Sequence, residues 1–442
     1  MRLFSTQAAK GEPEPGRLRV SMRVLRREGI RAVGQPGKIA NRYVVVSLLW
    51  CAASLAIKPF FAYVDFGAFY SMAIEKILAG APLDLYSFVF RPPGSTLVLP
   101  VTNPPLWFFY LAPWYALGKA LGIADFNVQT GLSYGQAFVL AVTLPLDVFL
   151  CRTVVRLAEA RTALAEPGRW HIFLCLLLSP LLWLSSVRFG HNESAMVLLL
   201  LLAIAAGERG RPVLSGVLWG LAFGIKTTAV VPALIYFGWG LGRERRRAMV
   251  IAVAVSAVVF VGPLLPYLLL RREQVVYALV GFEKLRPVGG YVLWKLLPDP
   301  LSAATYANVL LLALSAGLGL VMSRRRGDSF LACGGAWALV LGQVFLLLFG
   351  KALFIWYPLA ASCFLYLACV YGRKNDASIP LVPLFLSLLL WIVQGGGWVG
   401  EAVNPAVSVR SAIWVVLMAA IAAMAINGLR AARSHETSTS RQ

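Results

Sequence analysis

Trp170–Ala206 reads WHIFLCLLLSPLLWLSSVRFGHNESAMVLLLLLAIAA. Two apolar runs, 170–187 and 194–206, flank a six-residue stretch, Arg188–Glu193, that holds an arginine, a histidine, an asparagine and a glutamate. An α-helix rises 1.5 Å per residue, so the first run approaches the roughly 30 Å of a bilayer's hydrocarbon core. Runs of this kind recur from Tyr43 almost to the C-terminus. They are continuous rather than alternating, which excludes a transmembrane β-barrel. The expected fold is all-α: a polytopic transmembrane helical bundle of about 12–13 hydrophobic segments.

Composition agrees. The 442 residues are 59% hydrophobic and 14% charged, where a soluble domain would carry about a quarter charged residues. The formal charge of +21 does not point to nucleic acid, because Lys and Arg fall in short clusters between apolar runs, as in cytoplasmic loops. Residues 1–42 hold ten Lys or Arg against three Glu, with no apolar run. They read as a disordered, basic cytoplasmic tail able to touch anionic lipid. With no cleavable signal, the span at 43–62 is itself the insertion signal. The six cysteines sit in apolar segments at no metal-ligand spacing and read as small core residues.

The expected segments are 43–62, 105–123, 131–151, 170–187, 194–206, 213–225, 228–241, 247–270, 303–323, 329–349, 352–372, 379–398 and 411–429. Basic loops lie at 152–169, 207–211, 242–247, 323–327, 372–374 and from Arg430. Two segments separate each consecutive pair, so from Cys151 onward these loops share one side, taken as cytoplasmic. The loops sent outside are then Arg188–Glu193, the turn at Lys226, 271–302, 349–356 and 399–410. Parity fails only early, and a segment 105–123 that dips in without crossing restores it. Its Pro, Trp and Tyr content suits an interface. Segments 194–206, 213–225 and 228–241 are short, as helices lining a cavity are. The sequence thus divides into the tail 1–42, a module 43–300 including the outward loop 63–104, helices over 301–430, and a cytoplasmic tail 431–442.

The first outward loop begins YVDFGAFYSMAIEKILAGAPLDLYS, Tyr63–Ser87, and runs on to Asn103-Pro104-Pro105. Asp65 stands just beyond the first segment. A carboxylate in hydrocarbon costs about 2.5–3.5 kcal/mol, so Asp65 faces water or a polar cavity; a solvated loop residue or helix cap would satisfy the same spacing. Phe66, Phe69, Ala73 and Ile77 share a stripe, which predicts a juxtamembrane amphipathic helix along the surface.

These residues resemble the GT-C superfamily of membrane glycosyltransferases, which use polyprenyl-phosphate sugars. The likeness rests on four motifs in order across about 43–300. They are Asp65 with the helix and PLDLYS turn before Asn103-Pro104-Pro105; RFGHNES, 188–194; RPVLSGVLWGLAFGIKTTAVVP, 211–232, holding Lys226; and FEKLRPVGGYVLWKLL, 282–297. The nearest likeness is to the bacterial mannosyltransferase-like branch. It implies an integral enzyme of the inner membrane, N-terminus cytoplasmic and active site extracytoplasmic. The donor would be a polyprenyl-phosphate hexose, mannose by the likeness, and the acceptor a glycolipid, glycan or protein. Surrounding lipids would complete the partners.

Inverting transfer needs a base for the acceptor hydroxyl, and a carboxylate suits that task. It also needs cations for the departing phosphate, which Arg grips bidentately and Lys as a point charge. Asp65 is the candidate base. Arg188, His191, Lys226, Lys284, Arg286 and Lys351 are candidates for phosphate and sugar. Asn192 joins the substrate-binding set, while Glu193 and Asp84 could hold sugar hydroxyls or replace Asp65. Phe282, Tyr291 and Trp294 could stack on sugar rings or belong to the interfacial aromatic belt.

Plainer roles fit some of the same residues. Gly190 could end one helix, Asn192 cap the next and Glu193 complement its dipole. Lys226 could snorkel to the interface. Asp147 could pair with Arg152 in a structural role. No cofactor is implied beyond the lipid-linked donor, metal dependence stays open, and no paired carboxylates predict a tightly bound ion. A transporter or lipid flippase is the main alternative, although no internal repeat of the usual transporter kind is evident. A polymerase or ligase of lipid-linked glycans is a third.

Overall fold

A computed structural model describes residues 36–60, 65–87, 89–90, 99–128, 131–160, 164, 166–188, 190, 192–241, 245–282, 293–297, 306–325, 329–350, 357–372 and 405–439. The chain divides into two units, Met1–Ala52 and Ala53–Gln442. The first holds most of helix α1, Pro36–Ile57, in which the Ser47 hydroxyl donates to the Tyr43 carbonyl at 2.6 Å. Proline at the first helical position, with its preset φ, explains a start inside the stretch read as tail.

The second unit is a helical bundle. Its long helices are α4, Tyr134–Glu159; α5, Glu166–Leu177, which resumes at Pro180–Leu182 and ends in a wide π turn, Trp183–Arg188; and α9, Arg246–Leu270. Between them run α6, Glu193–Glu208, α7, Pro212–Ile225, and α8, Val230–Leu241. After the five-residue α10, Arg272–Val276, come α11, Ala307–Ser323, α12, Ala336–Phe349, α13, Pro358–Gly372, and α14, Pro405–Thr439. Six described helices are long and apolar enough to cross a membrane, and four shorter apolar helices accompany them. The protein is a multi-pass membrane protein. Twelve of the thirteen expected segments coincide with described helices, and 379–398 lies outside the described residues. α14 continues beyond Arg430 into the stretch read as a tail.

Local chemistry sets the breaks. Ser133 caps α4 by accepting from the Gln136 amide at 3.2 Å. Pro180 supplies no amide hydrogen and forces the break after Leu177. Gly190, at φ +64°, closes the chain after the π turn, its amide donating to the Ser186 carbonyl at 3.0 Å.

Hydrogen bonds sort the connections into two ends. At one, the Glu208 carboxylate accepts from the Ser329 hydroxyl at 2.6 Å and the Leu331 amide at 3.1 Å. Arg325 reaches the Leu429 carbonyl at 2.8 Å, and Tyr371 the Leu157 carbonyl at 2.8 Å. These positions belong to or border the basic loops. At the distal end, Lys58 donates to the Arg188 carbonyl at 2.9 Å and the Ser133 amide to the Pro59 carbonyl at 2.8 Å. Asn192 donates to the Ile225 carbonyl at 3.0 Å and Trp294 to the Phe349 carbonyl at 3.0 Å. The described connections assigned to one side by parity therefore do converge.

A compact layer caps the distal end. It comprises the π turn Asp65–Tyr70, α2, Ser71–Leu78, and α3, Leu106–Ala120. Leu106, at the start of α3, lies against Gly224, two residues before Lys226. Beyond its other end, Asp125 accepts from the amide of Gly135, at the start of α4, at 2.7 Å. Both ends of α3 thus lie against elements of the distal end, the arrangement expected of a helix that dips without crossing. A pair of two-residue strands, β1, Val89–Phe90, and β2, Leu99–Pro100, adds the sole ladder among the described residues. The all-α class stands.

The α2 stripe is turned inward. Ala73 and Ile74 are buried, Phe69 and Ile77 half-buried, and all pack with Trp107, Phe108, Leu111, Tyr115 and Phe126. The side chain of Phe66 lies outside the described residues. The face read as meeting lipid meets α3 instead, because α3 offers aromatic area that removes more apolar surface from water. Glu75 fastens the rim, accepting from Tyr115 at 2.9 Å, Lys119 at 3.2 Å and Asn127 at 3.4 Å. Burial pushes its carboxyl up, but those three donors and the Lys119 charge outweigh burial and hold it below the ordinary glutamate range. The stabilisation is thus complete above that range and disappears as pH falls through the folded value. Amide protection over residues 71–78, corrected for the intrinsic pH dependence of exchange, should fall in acid, and Glu75→Gln should flatten that dependence.

Close helix contact carries the centre of the bundle. On α7, a Cβ at Gly220 would stand 2.6 Å from the Val259 Cβ and 2.7 Å from the Ser256 carbonyl oxygen of α9. Small residues let membrane helices approach this way. Gly220→Ala is expected to destabilise by about 1–3 kcal/mol through overpacking. Thermal unfolding in detergent measures this, with Gly262→Ala as control because no described neighbour beyond its own helix backbone stands within 4 Å of its added methyl.

Candidate active site

The Arg188–Glu193 turn is held from several directions. The buried Lys58 ammonium takes the Arg188 carbonyl from the end of the first span. Asn192, 1% exposed, spends its amide on the Ile225 carbonyl, tying this turn to the next. Immediately beyond Ile225 stands Lys226. Its ammonium forms an ion pair with Glu193, and it lies 4.4 Å from the centre of the Tyr357 ring. Glu193 is 1% exposed and Lys226 7%.

Thirty-three residues separate Glu193 from Lys226, yet they share one desolvated site. In such a site a charge–charge contact is far stronger than in water, and each charge depends on the other for its burial. A ring face beside the ammonium adds a further attraction for the cation. Two plainer roles fail here. The Asn192 side chain makes no cap bond to α6: its Nδ2 donates across the gap, and its Oδ1, the atom a cap would use, has no hydrogen-bond partner among the described residues. Lys226 does not snorkel outward, because Glu193 satisfies it inside. Gly190 does end its helix as expected.

The remaining candidates divide. Asp65 opens the π turn of the distal layer, where Gly67 packs against the Asn127 and Val128 carbonyls. The side chain of Asp65 lies outside the described residues, as do residues His191, Lys284, Arg286, Lys351 and Tyr291. Arg188 is exposed at the turn's edge. Asp84 pairs with Arg271 at 3.0 Å, both well exposed, and so fastens the distal layer to the end of α9 rather than joining Glu193. Phe282 and Trp294 are buried, Phe282 edge-on to Tyr277 at 6.3 Å and Trp294 bonded to Phe349, which is packing rather than an open sugar platform. Among the described residues, no three His, Cys, Asp or Glu side chains gather as metal ligands would.

Three contributors escaped the sequence. Lys58 is a lone cation at a span's end, in AIKPFF, a position where lysines commonly snorkel. Tyr357 carried no motif. Asp147 was assigned to Arg152, but its Oδ1 accepts from the Ser186 hydroxyl at 2.8 Å instead. It points into the bundle because the π turn brings Ser186 opposite α4.

Residues 101–280 match glycosyltransferase family 87. The matched stretch holds both partners of the Glu193–Lys226 pair and, of the distal layer, α3 but neither α2 nor the π turn that Asp65 opens. It is 180 of 442 residues. The family is of the GT-C type, so the match supports the resemblance drawn from the motifs: a GT-C membrane glycosyltransferase. The archaeal oligosaccharyltransferase AglB from Archaeoglobus fulgidus, solved with an inhibitory peptide and a dolichol-phosphate, aligns at TM-score 0.35 and 13% identity. The alignment covers 89% of this chain and 55% of that one, so this chain spans little over half that protein's length. No curated protein matches the chain.

Proposed function

We propose that the protein moves a hexose, mannose by the family likeness, from a polyprenyl phosphate to an acceptor at the distal end of the bundle, outside the inner membrane. The buried Glu193–Lys226 pair, inside the family-matched stretch and beside the first span's exit, supports this most directly. The acceptor hydroxyl oxygen attacks the sugar's C1 as the C1–O bond to phosphate breaks. The hydroxyl proton passes to Asp65 and polyprenyl phosphate leaves, with inversion at C1. Lys226 and Arg188, with His191, Lys284, Arg286 and Lys351 from the neighbouring loops, meet the phosphate charge as it grows. Asn192 and Glu193 take sugar hydroxyls. Asp84, engaged with Arg271 at the rim, orders the layer that carries Asp65. The lipid tail lies in an apolar groove between short helices. The N-terminus and basic loops then face the cytoplasm.

Purified protein in liposomes, supplied with radiolabelled polyprenyl-phosphate mannose, glucose or galactose and a panel of glycolipid, glycan and peptide acceptors, tests this. Mannose transfer is expected, and preference for another hexose would correct the sugar alone. No transfer from any lipid-phosphate sugar would overturn the proposal, and movement of the donor between leaflets without transfer would establish the flippase instead.

A further inference from the structure

We propose that Asp147 is a positioning residue for this centre, a strap that fixes both shoulders of the Arg188–Glu193 turn. It rests on the transfer reaction proposed above for its catalytic consequence, but not for its geometry. Asp147 lies on α4 and is 1% exposed. The Ser186 hydroxyl donates to its Oδ1 at 2.8 Å, and the Ser186 and Ser194 hydroxyl oxygens stand 2.8 Å apart. Ser186 precedes the turn by two residues and Ser194 follows it by one. A single chain of hydrogen bonds therefore joins the helix that enters the turn to the helix that leaves it, and anchors both to a third.

Stability alone does not account for such a group. A carboxylate inside a membrane helix is costly, and Oδ2 has no hydrogen-bond partner among the described residues. Its neighbours there are hydroxyls rather than a Lys or Arg, so among the described residues no ion pair offsets that cost. Replacing a buried ionisable group by an apolar one is often neutral or stabilising, and leucine is expected to be so here. What the carboxylate adds is geometry. Ser186 sits in the six-residue π turn Trp183–Arg188, a widened form of helix that recurs at functional sites. The strap holds its width, and with it the placement of Glu193 against Lys226. Lys58 at the Arg188 carbonyl and Asn192 at the Ile225 carbonyl hold the same turn at two further points.

The test uses the full chain in lipid nanodiscs, with Asp147→Leu, Asp147→Asn and the double variant Ser186→Ala/Ser194→Ala. Two readouts are taken: hydrogen exchange over residues 188–196, and kcat and KM for polyprenyl-phosphate mannose. Asp147→Leu is expected to keep or raise the melting temperature, to speed exchange in that segment alone, and to lower kcat about 100-fold with a smaller change in KM, as small misplacements in a reaction centre do. Asp147→Asn keeps an acceptor oxygen and should restore most of both. Wild-type exchange and kcat in Asp147→Leu would overturn the strap, as would an Asn variant that falls as far as Leu. If Asp147→Leu does not fold, the serine pair decides on the same readouts, since it removes the links and leaves α4 intact. If the wild type transfers no sugar, the reaction proposed above fails, and the exchange arm still decides the strap.

Discussion

Asp65→Asn protein is expected to insert and fold as wild type does while losing about 10²–10⁴-fold in kcat, the usual share of a positioned base. The asparagine keeps the size and the hydrogen-bonding edge of aspartate, so the distal layer has no reason to rearrange. What it lacks is a site for the proton that the acceptor hydroxyl sheds as C1 is attacked. In the proposed mechanism the lipid donor is bound by cations rather than by this carboxylate, so its KM should move little. Single-turnover transfer with preloaded donor separates the two quantities. Unimpaired transfer by the variant would remove Asp65 from the reaction and leave Glu193 as the carboxylate to test next. Movement of lipid between leaflets, were it the true activity, would survive the change.

The second large effect concerns Lys226. Lys226→Met leaves Glu193, 1% exposed, without its counter-charge. Removing one member of a buried pair typically destabilises by about 3–5 kcal/mol, because the survivor stays desolvated and unpaired. Adding Glu193→Gln should recover much of that loss, since the double variant buries no charge. Transfer should not recover. A phosphate contact of this kind contributes a few kcal/mol to the transition state, and neither methionine nor glutamine supplies it. Thermal melts and kcat/KM on the two single variants and the double variant form the cycle. Equal stability in Lys226→Met and wild type would contradict the buried pair, and a double variant with wild-type turnover would remove Lys226 from phosphate binding.

That Glu193 and Lys226 share one end of the bundle is legible in the amino-acid sequence because charge is rare in this chain. Lys226 is the only charged residue between Arg211 and Arg243, and the parity of the basic clusters puts it on the same side as Glu193. The same parity requires Leu106–Ala120 to dip, and the contacts of its start with Gly224 and of Asp125 with the start of α4 are those a dipping helix would make. Apolar runs mark the spans for the plain reason that hydrocarbon tolerates little else. What stays hidden depends on rotation about helix axes. Asp147 could face Arg152 or the bundle, and periodicity does not choose when most positions on α4 are apolar. The π turn that decides it, by adding one residue to a helical turn, has no compositional mark in WLSSVR. The α2 stripe misleads for a related reason: an apolar face says that something covers it, and α3 rather than lipid does.

α6 begins with Glu193, and the protein buries twelve of its sixteen residues, with Leu202 the exposed one. Peripheral helices such as α9 carry many residues exposed on the bundle's surface, Val258 and Leu269 among them, and must tilt when the acyl chains around them lengthen or shorten. α6 presents far less surface to acyl chains than α9 does, so mismatch reaches it chiefly through its neighbours. The carboxylate at its head is thereby insulated from membrane thickness, and turnover in vesicles of short-chain and long-chain lipids should differ little.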